Sequence, residues 1–303
     1  MDPALAAVIA AIPEWEGEDP DVTPITIGIT NRNFKVNIGG ASFVVRLSGK
    51  DTELLGIDRA AENDAASAAA AAGVAPEVFA FLPDLGALIT RFVQGAHIPE
   101  QDLEREDVLR AVVRSVQAIH SGPPIPSSFP VFRIVEDYRG IAAERGVAAP
   151  PAFEQVHARA GDIEAAFSKH PLPDRPCHND LLNANFLLDG DHVWIVDYEY
   201  AGMGDVFFDL GNLSVNNDLD DAARDVLLDR YFLGDVRDRH RARLALMCLM
   251  SDFREAMWGV VQQAISTLDV DFVDYADRHF ARLLGNAATL PLDDLLRAAG
   301  EPI

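Results

Sequence analysis

Apolar and polar positions alternate over short runs at the start of the chain. Residues 23–30 and 33–38 are rich in β-branched and apolar side chains. Gly39-Gly40 follows as a two-residue turn signal, and residues 42–47 form a returning run, so an antiparallel sheet is expected to begin here. Residues 58–72 are alanine-rich and read as a helix that stops at Gly73, with Pro76 beyond. Two further strands are expected over 77–81 and 87–92, around a turn at Pro83-Asp84. From Gln94 onward the pattern turns helical: 100–120, 152–169, 222–232, 237–265 and 272–284, with a Pro/Ser-rich loop over 122–130. One β island interrupts it, residues 184–188 and 193–198 joined by Asp189-Gly190. No internal repeat is evident. A small sheet with one helix, then a mostly helical half holding one hairpin, predicts an α+β fold with a cleft between two parts, divided at residues 1–93 and 94–303.

Length and charge narrow the function classes. The 303 residues suit one two-part enzyme with a large core. With 25 basic and 48 acidic residues the formal charge is −23. Such a surface repels phosphate backbones and anionic membranes, so neither nucleic acid nor a membrane is expected as a partner. The same field favours cationic small molecules by steering, beyond its plain role of keeping the protein soluble. Cys177 and Cys248 are the only cysteines and lie far apart, so no disulfide framework is expected and a reducing cytoplasm fits. The apolar stretch over 1–15 lacks a basic start and carries Asp2 and Glu14, which argues against a signal peptide.

The candidate chemistry is concentrated in Cys177-His178-Asn179-Asp180-Leu181-Leu182-Asn183-Ala184-Asn185, followed by Ile195-Val196-Asp197-Tyr198-Glu199-Tyr200. This is His-x-Asp-x₄-Asn on a loop, then an apolar strand ending in aspartate. Phosphoryl transfer needs one carboxylate to orient the attacking hydroxyl and accept its proton. It also needs an amide oxygen and a second carboxylate to hold Mg²⁺ against the phosphates. Asp180 suits the first role; Asn185 and Asp197 suit the metal, which takes hard oxygen ligands and retains waters. The hairpin brings Asn185 and Asp197 to one end of the cleft. His178 is expected to brace the loop.

These residues, with Phe208-Asp209-Leu210-Gly211-Asn212, resemble the choline/ethanolamine kinases of the wider aminoglycoside-phosphotransferase-like group, over nearly the whole chain. The resemblance implies a two-lobed protein-kinase-like fold. Residues 1–93 would form a small antiparallel-sheet N-lobe that binds ATP, and residues 94–303 a mostly helical C-lobe with the catalytic loop and acceptor pocket. Gly28-Ile29-Thr30-Asn31 is similar to the family's nucleotide loop, so Thr30 and Asn31 would lie at the phosphates. Val44-Val45-Arg46-Leu47 resembles the third strand, with Arg46 where protein kinases carry lysine. Glu62, in Ile57-Asp58-Arg59-Ala60-Ala61-Glu62, would pair with Arg46 and hold it toward the phosphates. The backbone of 87–93 would serve adenine. Asp209 would brace the catalytic loop.

By the same resemblance Tyr200, Trp258 and Tyr275 would line an aromatic box for an alkylammonium head. Two positions depart from the family. A second tryptophan is replaced by Glu255, and an acid after the Asn212-like residue is replaced by Asn216. Glu255 is therefore expected to serve the cation by charge. The implied activity is ATP- and Mg²⁺-dependent phosphorylation of a small amino alcohol such as choline or ethanolamine. Thiamine, an aminoglycoside, a sugar or homoserine remain alternative acceptors, and a non-catalytic nucleotide-binding module is the alternative outside enzymes. The chain lacks the Asp-Phe-Gly signature of protein kinases, and no Ala-Pro-Glu follows the Asp180 loop to close an activation segment; Ala75-Pro76-Glu77 lies well before it. The oligomeric state stays open, a homodimer included.

Overall fold

The computed structural model describes residues 1–25, 31–49, 52–266 and 268–302. In chain order the elements are α1 (Pro3–Ala10), β1 (Asp21–Ile25), β2 (Arg32–Ile38), β3 (Ala41–Leu47), α2 (Arg59–Ala71), β4 (Val78–Leu82) and β5 (Ala87–Arg91). There follow β6 (Ala96–His97), α3 (Glu106–His120), α4 (Val131–Glu144), α5 (Phe153–Phe167), β7 (Arg175–Cys177), β8 (Phe186–Asp189), β9 (His192–Ile195) and β10 (Gly202–Gly204). The chain then runs through α6 (Val206–Asn216), α7 (Asp221–Tyr231), α8 (Asp238–Ile265), α9 (Phe272–Thr289) and α10 (Leu292–Ala299).

The first five strands form one antiparallel sheet in the order β1-β2-β3-β5-β4. Gly39 and Gly40, both at positive φ (57° and 75°), make the β2–β3 turn, whose handedness matches the strand twist and which a side chain would strain. The register puts Arg46 opposite Asn33 on one side and Leu88 on the other, at the sheet's centre. Leu5, Val8, Val36, Val45 and Ile89 form the core beneath the sheet, and Trp15, Phe43 and Phe79 pack their rings within 5.8 Å of one another.

α2 starts at Asp58, whose side chain accepts from the Ala60 and Ala61 N–H groups, and ends in a Schellman motif: Val74 N–H to Ala69 C=O and Gly73 N–H to Ala70 C=O. Its alanine face, Ala65, Ala66 and Ala69, joins the larger core of the helical half. Small side chains there let the helix lie close to that half, and the Ile195 N–H bonds the Val74 carbonyl at 2.8 Å. α2 therefore carries Glu62 to the junction of sheet and helices.

α8 runs through the middle of the helical half, packed by α4, α6 and α9 and buried on all sides over most of its length. β8 and β9 form the expected hairpin, joined at its edge by β6. Several helices were not anticipated: α1, α4, α6 and α10. The helix expected over 100–120 is a short 3-10 turn at Glu100–Asp102 followed by α3. No helix among the described residues is long and apolar enough to cross a membrane.

Candidate active site

A cavity of about 580 Å³ lies between the sheet and the helical half. Asn31, Arg46, Glu62, Asp180, Asn185, Asp197, Tyr200, Glu255, Trp258 and Tyr275 all line it, together with residues 90–93 after β5. Every sequence-derived candidate therefore faces one space, except Thr30, which lies outside the described residues.

The loop bearing Asp180 follows β7 and is fixed from beneath by α6. Asp209, fully buried, accepts from the backbone N–H of His178 (2.8 Å) and of Asn179 (2.6 Å). His120 lies between Asp209 (2.9 Å) and the Tyr231 hydroxyl (2.7 Å). Burial alone would raise the Asp209 carboxyl, but the hydrogen bond and charge of His120 and the backbone donors bring it below the usual carboxylate value. Asn212 Oδ1 accepts from the Leu181 N–H at 2.6 Å, and Asn179 donates to the Tyr200 carbonyl at 3.0 Å. Asn179 and Asp197 both sit at positive φ (65° and 68°), unusual for side-chain-bearing residues and maintained here by the surrounding bonds.

His178 has partners that settle its tautomer. Nε2 lies 3.0 Å from the Val196 carbonyl, which can only accept, and Nδ1 lies 3.3 Å from the Asp180 N–H, which can only donate. The ring is neutral with its proton on Nε2, and burial lowers its pKa in the same sense. It ties the Asp180 loop to the segment after β9, as a brace.

Above the loop, Arg46 reaches from β3 to Glu62 of α2 and to Asp197. Arg59 was not singled out from the sequence. It donates to Glu62 (2.8 Å), Glu199 (3.3 Å), Thr52 Oγ1 (2.9 Å) and Asn31 Oδ1 (3.3 Å). Asn31 in turn donates to Glu199 at 3.0 Å. Asn31 thus links the first hairpin to the segment carrying Asp197 through its side chain. Glu199 is raised by burial, and by the neighbouring Asp197 charge, against the pull of Arg46 and Arg59.

Asp180 is raised well above the usual carboxylate range, first by burial and then by Glu255, Asp197 and Glu199, with Arg254 opposing. Arg254 Nη1 lies 3.7 Å from Asp180 Oδ1. The wall facing Asp180 is built by α8 and α9. Trp258 Nε1 donates to the Tyr200 hydroxyl (2.9 Å), and the Trp258 and Tyr275 ring centroids are 5.5 Å apart. The Tyr275 hydroxyl donates to Glu255 at 2.8 Å. Gly259 makes this wall possible: a Cβ there would meet Tyr275 Cδ1 at 2.9 Å.

The profile of the APH, or phosphotransferase enzyme, family matches residues 21–245. The crystal structure of a choline/ethanolamine kinase family protein from Mesorhizobium loti is 33% identical, with a TM-score of 0.85 and 98% of each chain covered. The chain belongs to the phosphotransferase enzyme family, in its choline/ethanolamine kinase group. Two curated relatives agree. Ethanolamine kinase 2 of Rattus norvegicus is 27% identical over 305 residues, covering 90% of this chain and 78% of that protein. Protein LicA of Haemophilus influenzae is 29% identical over 212 residues; the match takes in 67% of this chain and only 60% of LicA's length.

This phosphotransferase transfers a phosphoryl group to an alcohol acceptor, and three residues of its cleft escaped the sequence reading. Arg59 stands inside the quoted stretch before Glu62, and Glu199 two positions after Asp197, so position alone could have marked both. Arg254 stands beside Glu255, but an arginine on a helix ordinarily reads as a solvent-facing charge.

Proposed function

We propose that the protein transfers the γ-phosphoryl group of ATP to the hydroxyl of a small amino alcohol, choline or ethanolamine being the type. The observation that carries this reading is the meeting in one cavity of the Arg46–Glu62 pair, the Asp180–Asn185–Asp197 set and an acid-and-aromatic wall. The names of the Mesorhizobium and rat relatives support the acceptor class. In this reading residues 1–93 form the nucleotide lobe and 94–303 the lobe that carries the loop and acceptor.

The cleft suits Mg²⁺. Asn185 spends its amide N–H on the Asp180 carbonyl (2.9 Å), which leaves the amide oxygen for a cation, and Asp197 adds a carboxylate. Both are hard oxygen donors. The ion would offset charge on the ATP phosphates. Arg46, fixed by Glu62, grips phosphate oxygens. Asp180 accepts the hydrogen bond of the acceptor hydroxyl, aims its oxygen in line with the γ-phosphorus and takes the proton as the bond forms. Burial makes Asp180 a stronger base than an exposed aspartate, which suits that role. Rate enhancement comes from positioning and fixed charge.

ADP release with MgATP is the test, against choline, ethanolamine, thiamine and an aminoglycoside. Turnover with an amino alcohol that vanishes in Asp180→Ala and Asp197→Ala, with both variants folded, is expected. Wild-type-like turnover in either variant, or turnover confined to thiamine or the aminoglycoside, overturns the reading.

A further inference from the structure

The wall that faces Asp180 already contains a cation. Arg254 is 1% exposed, and its guanidinium carbon lies 4.3 Å from the centre of the Tyr200 ring. Its Nη1 donates to Glu255 Oε1 at 2.6 Å and approaches Asp180. Tyr200 is thus stacked on an internal guanidinium, and its hydroxyl is tied to Trp258. Trp258 and Tyr275 meet edge to face at 60°, so they do not offer two parallel faces. A quaternary ammonium has no N–H and depends on aromatic faces around its methyl shell. Here one of the three rings is already engaged by Arg254.

The wall offers charge and hydrogen-bond acceptance instead. Two carboxylates, Asp180 and Glu255, stand against one guanidinium, Arg254, which leaves a net of one negative charge for the acceptor. Glu255 has donors at Arg254 Nη1, Asn212 Nδ2 (3.5 Å) and the Tyr275 hydroxyl. A carboxylate has about four lone-pair sites, so one acceptance remains, on Oε2, and Glu255 lines the cavity. An ammonium N–H can fill it; a trimethylammonium group cannot, and would bury it unsatisfied.

We propose that this pocket selects an ammonium bearing N–H groups, a primary amino alcohol first, over a quaternary one. Glu255 is the specificity-determining acceptor, and Arg254 is the positioning residue that holds it. The proposal deepens the function proposed above and rests on it. The Arg254 guanidinium also keeps Glu255 ionised against the effect of burial.

The test is steady-state kinetics with MgATP on ethanolamine, its N-methyl and N,N-dimethyl derivatives, and choline. The main fall in kcat/KM should come at choline, which alone of the four carries no N–H, on the order of 10- to 100-fold below ethanolamine, the loss expected for one charge-assisted hydrogen bond. Glu255→Gln should bring the ethanolamine-to-choline ratio toward one, mainly through the KM for ethanolamine, with the KM for ATP unchanged. Tyr275→Phe keeps the ring, removes one donor to Glu255 and should shift the ratio less. A Glu255 that merely neutralises Arg254 would lower stability and slow all four acceptors alike. Choline used as well as ethanolamine by the wild type overturns the proposal, with no variant needed. An unchanged ratio in folded Glu255→Gln does so too. Turnover of none of the four, with Asp180-dependent turnover of another acceptor, would instead remove the amino-alcohol reading itself.

Discussion

Replacing Asp209 by alanine removes one carboxylate that serves three partners: the N–H groups of His178 and Asn179, and His120. All are buried, so none can turn to water. Hydrogen bonds to a charged group contribute roughly 1.5–3 kcal/mol each, but bonds sharing one acceptor are not additive. Removing one member of a buried charged set costs about 3–5 kcal/mol, and that range is adopted here. For a chain of this size it corresponds to a fall in Tm of roughly 5–8 °C. Asp209→Asn retains one acceptor oxygen but turns an amide N–H toward the others, so it should fall between. The loop that loses its brace carries Asp180, so kcat should drop in both variants while the KM for ATP, set across the cleft, stays near wild type. Differential scanning fluorimetry and coupled ADP release read the two effects. A Tm within about 1 °C of wild type together with an unchanged kcat in Asp209→Ala would refute the bracing argument.

Other outcomes follow from neighbouring groups. Because burial holds His178 neutral, the unfolded chain takes up a proton near pH 6.5 before the folded one does; its contribution is full above that pH and declines below it. A Tm series from pH 8 to 5 should show the decline, with a shallower slope in His178→Gln; an identical slope would contradict the assignment. Glu62→Ala leaves Arg46 with Asp197 as its remaining ion-pair partner, and should lower kcat/KM for ATP on the order of 100-fold, read by varying ATP at saturating acceptor. Gly259→Ala drives a methyl group into Tyr275, so the KM for the acceptor should rise several-fold with the KM for ATP unchanged.

Much of the nucleotide side was legible because its signals are local. Gly39-Gly40 sets a hairpin register, and that register places Arg46 at the sheet centre. Gly73 stops α2, and the helix before it carries Glu62 to Arg46. The spacing from Asp180 to Asn185 and on to Asp197 followed from a loop and hairpin whose turn is also local. The acceptor side was less legible. α6 is buried from Val206 to Val215, so it shows no polar stripe, and Phe208-Asp209-Leu210-Gly211-Asn212 reads as a motif with no helical period. α8 has the same character, and the stacking of Arg254 on Tyr200 joins positions 54 residues apart by packing alone. α4, which carries Tyr138, and α10 lie against α8 and α5; their local signals, Pro130 and Gly146 around the one and Pro291, Asp293, Asp294 and Gly300 around the other, stand in stretches that read as loops.

The way the catalytic loop is braced has a consequence for the order in which the enzyme takes shape during synthesis. Among the described residues, strands β1 to β5 pair only with one another, within residues 21–91, so that sheet has these partners while most of the chain is still unmade. The loop bearing Asp180 depends on Asp209, Asn212 and Tyr231, and the wall opposite it on residues 254 to 275. Domains emerge from the ribosome N-terminus first. A nascent chain therefore holds a finished sheet well before it holds a braced Asp180 loop or the wall opposite it. Arg46 is then in place on the sheet before Asp197, the carboxylate it meets across the cleft, has been made.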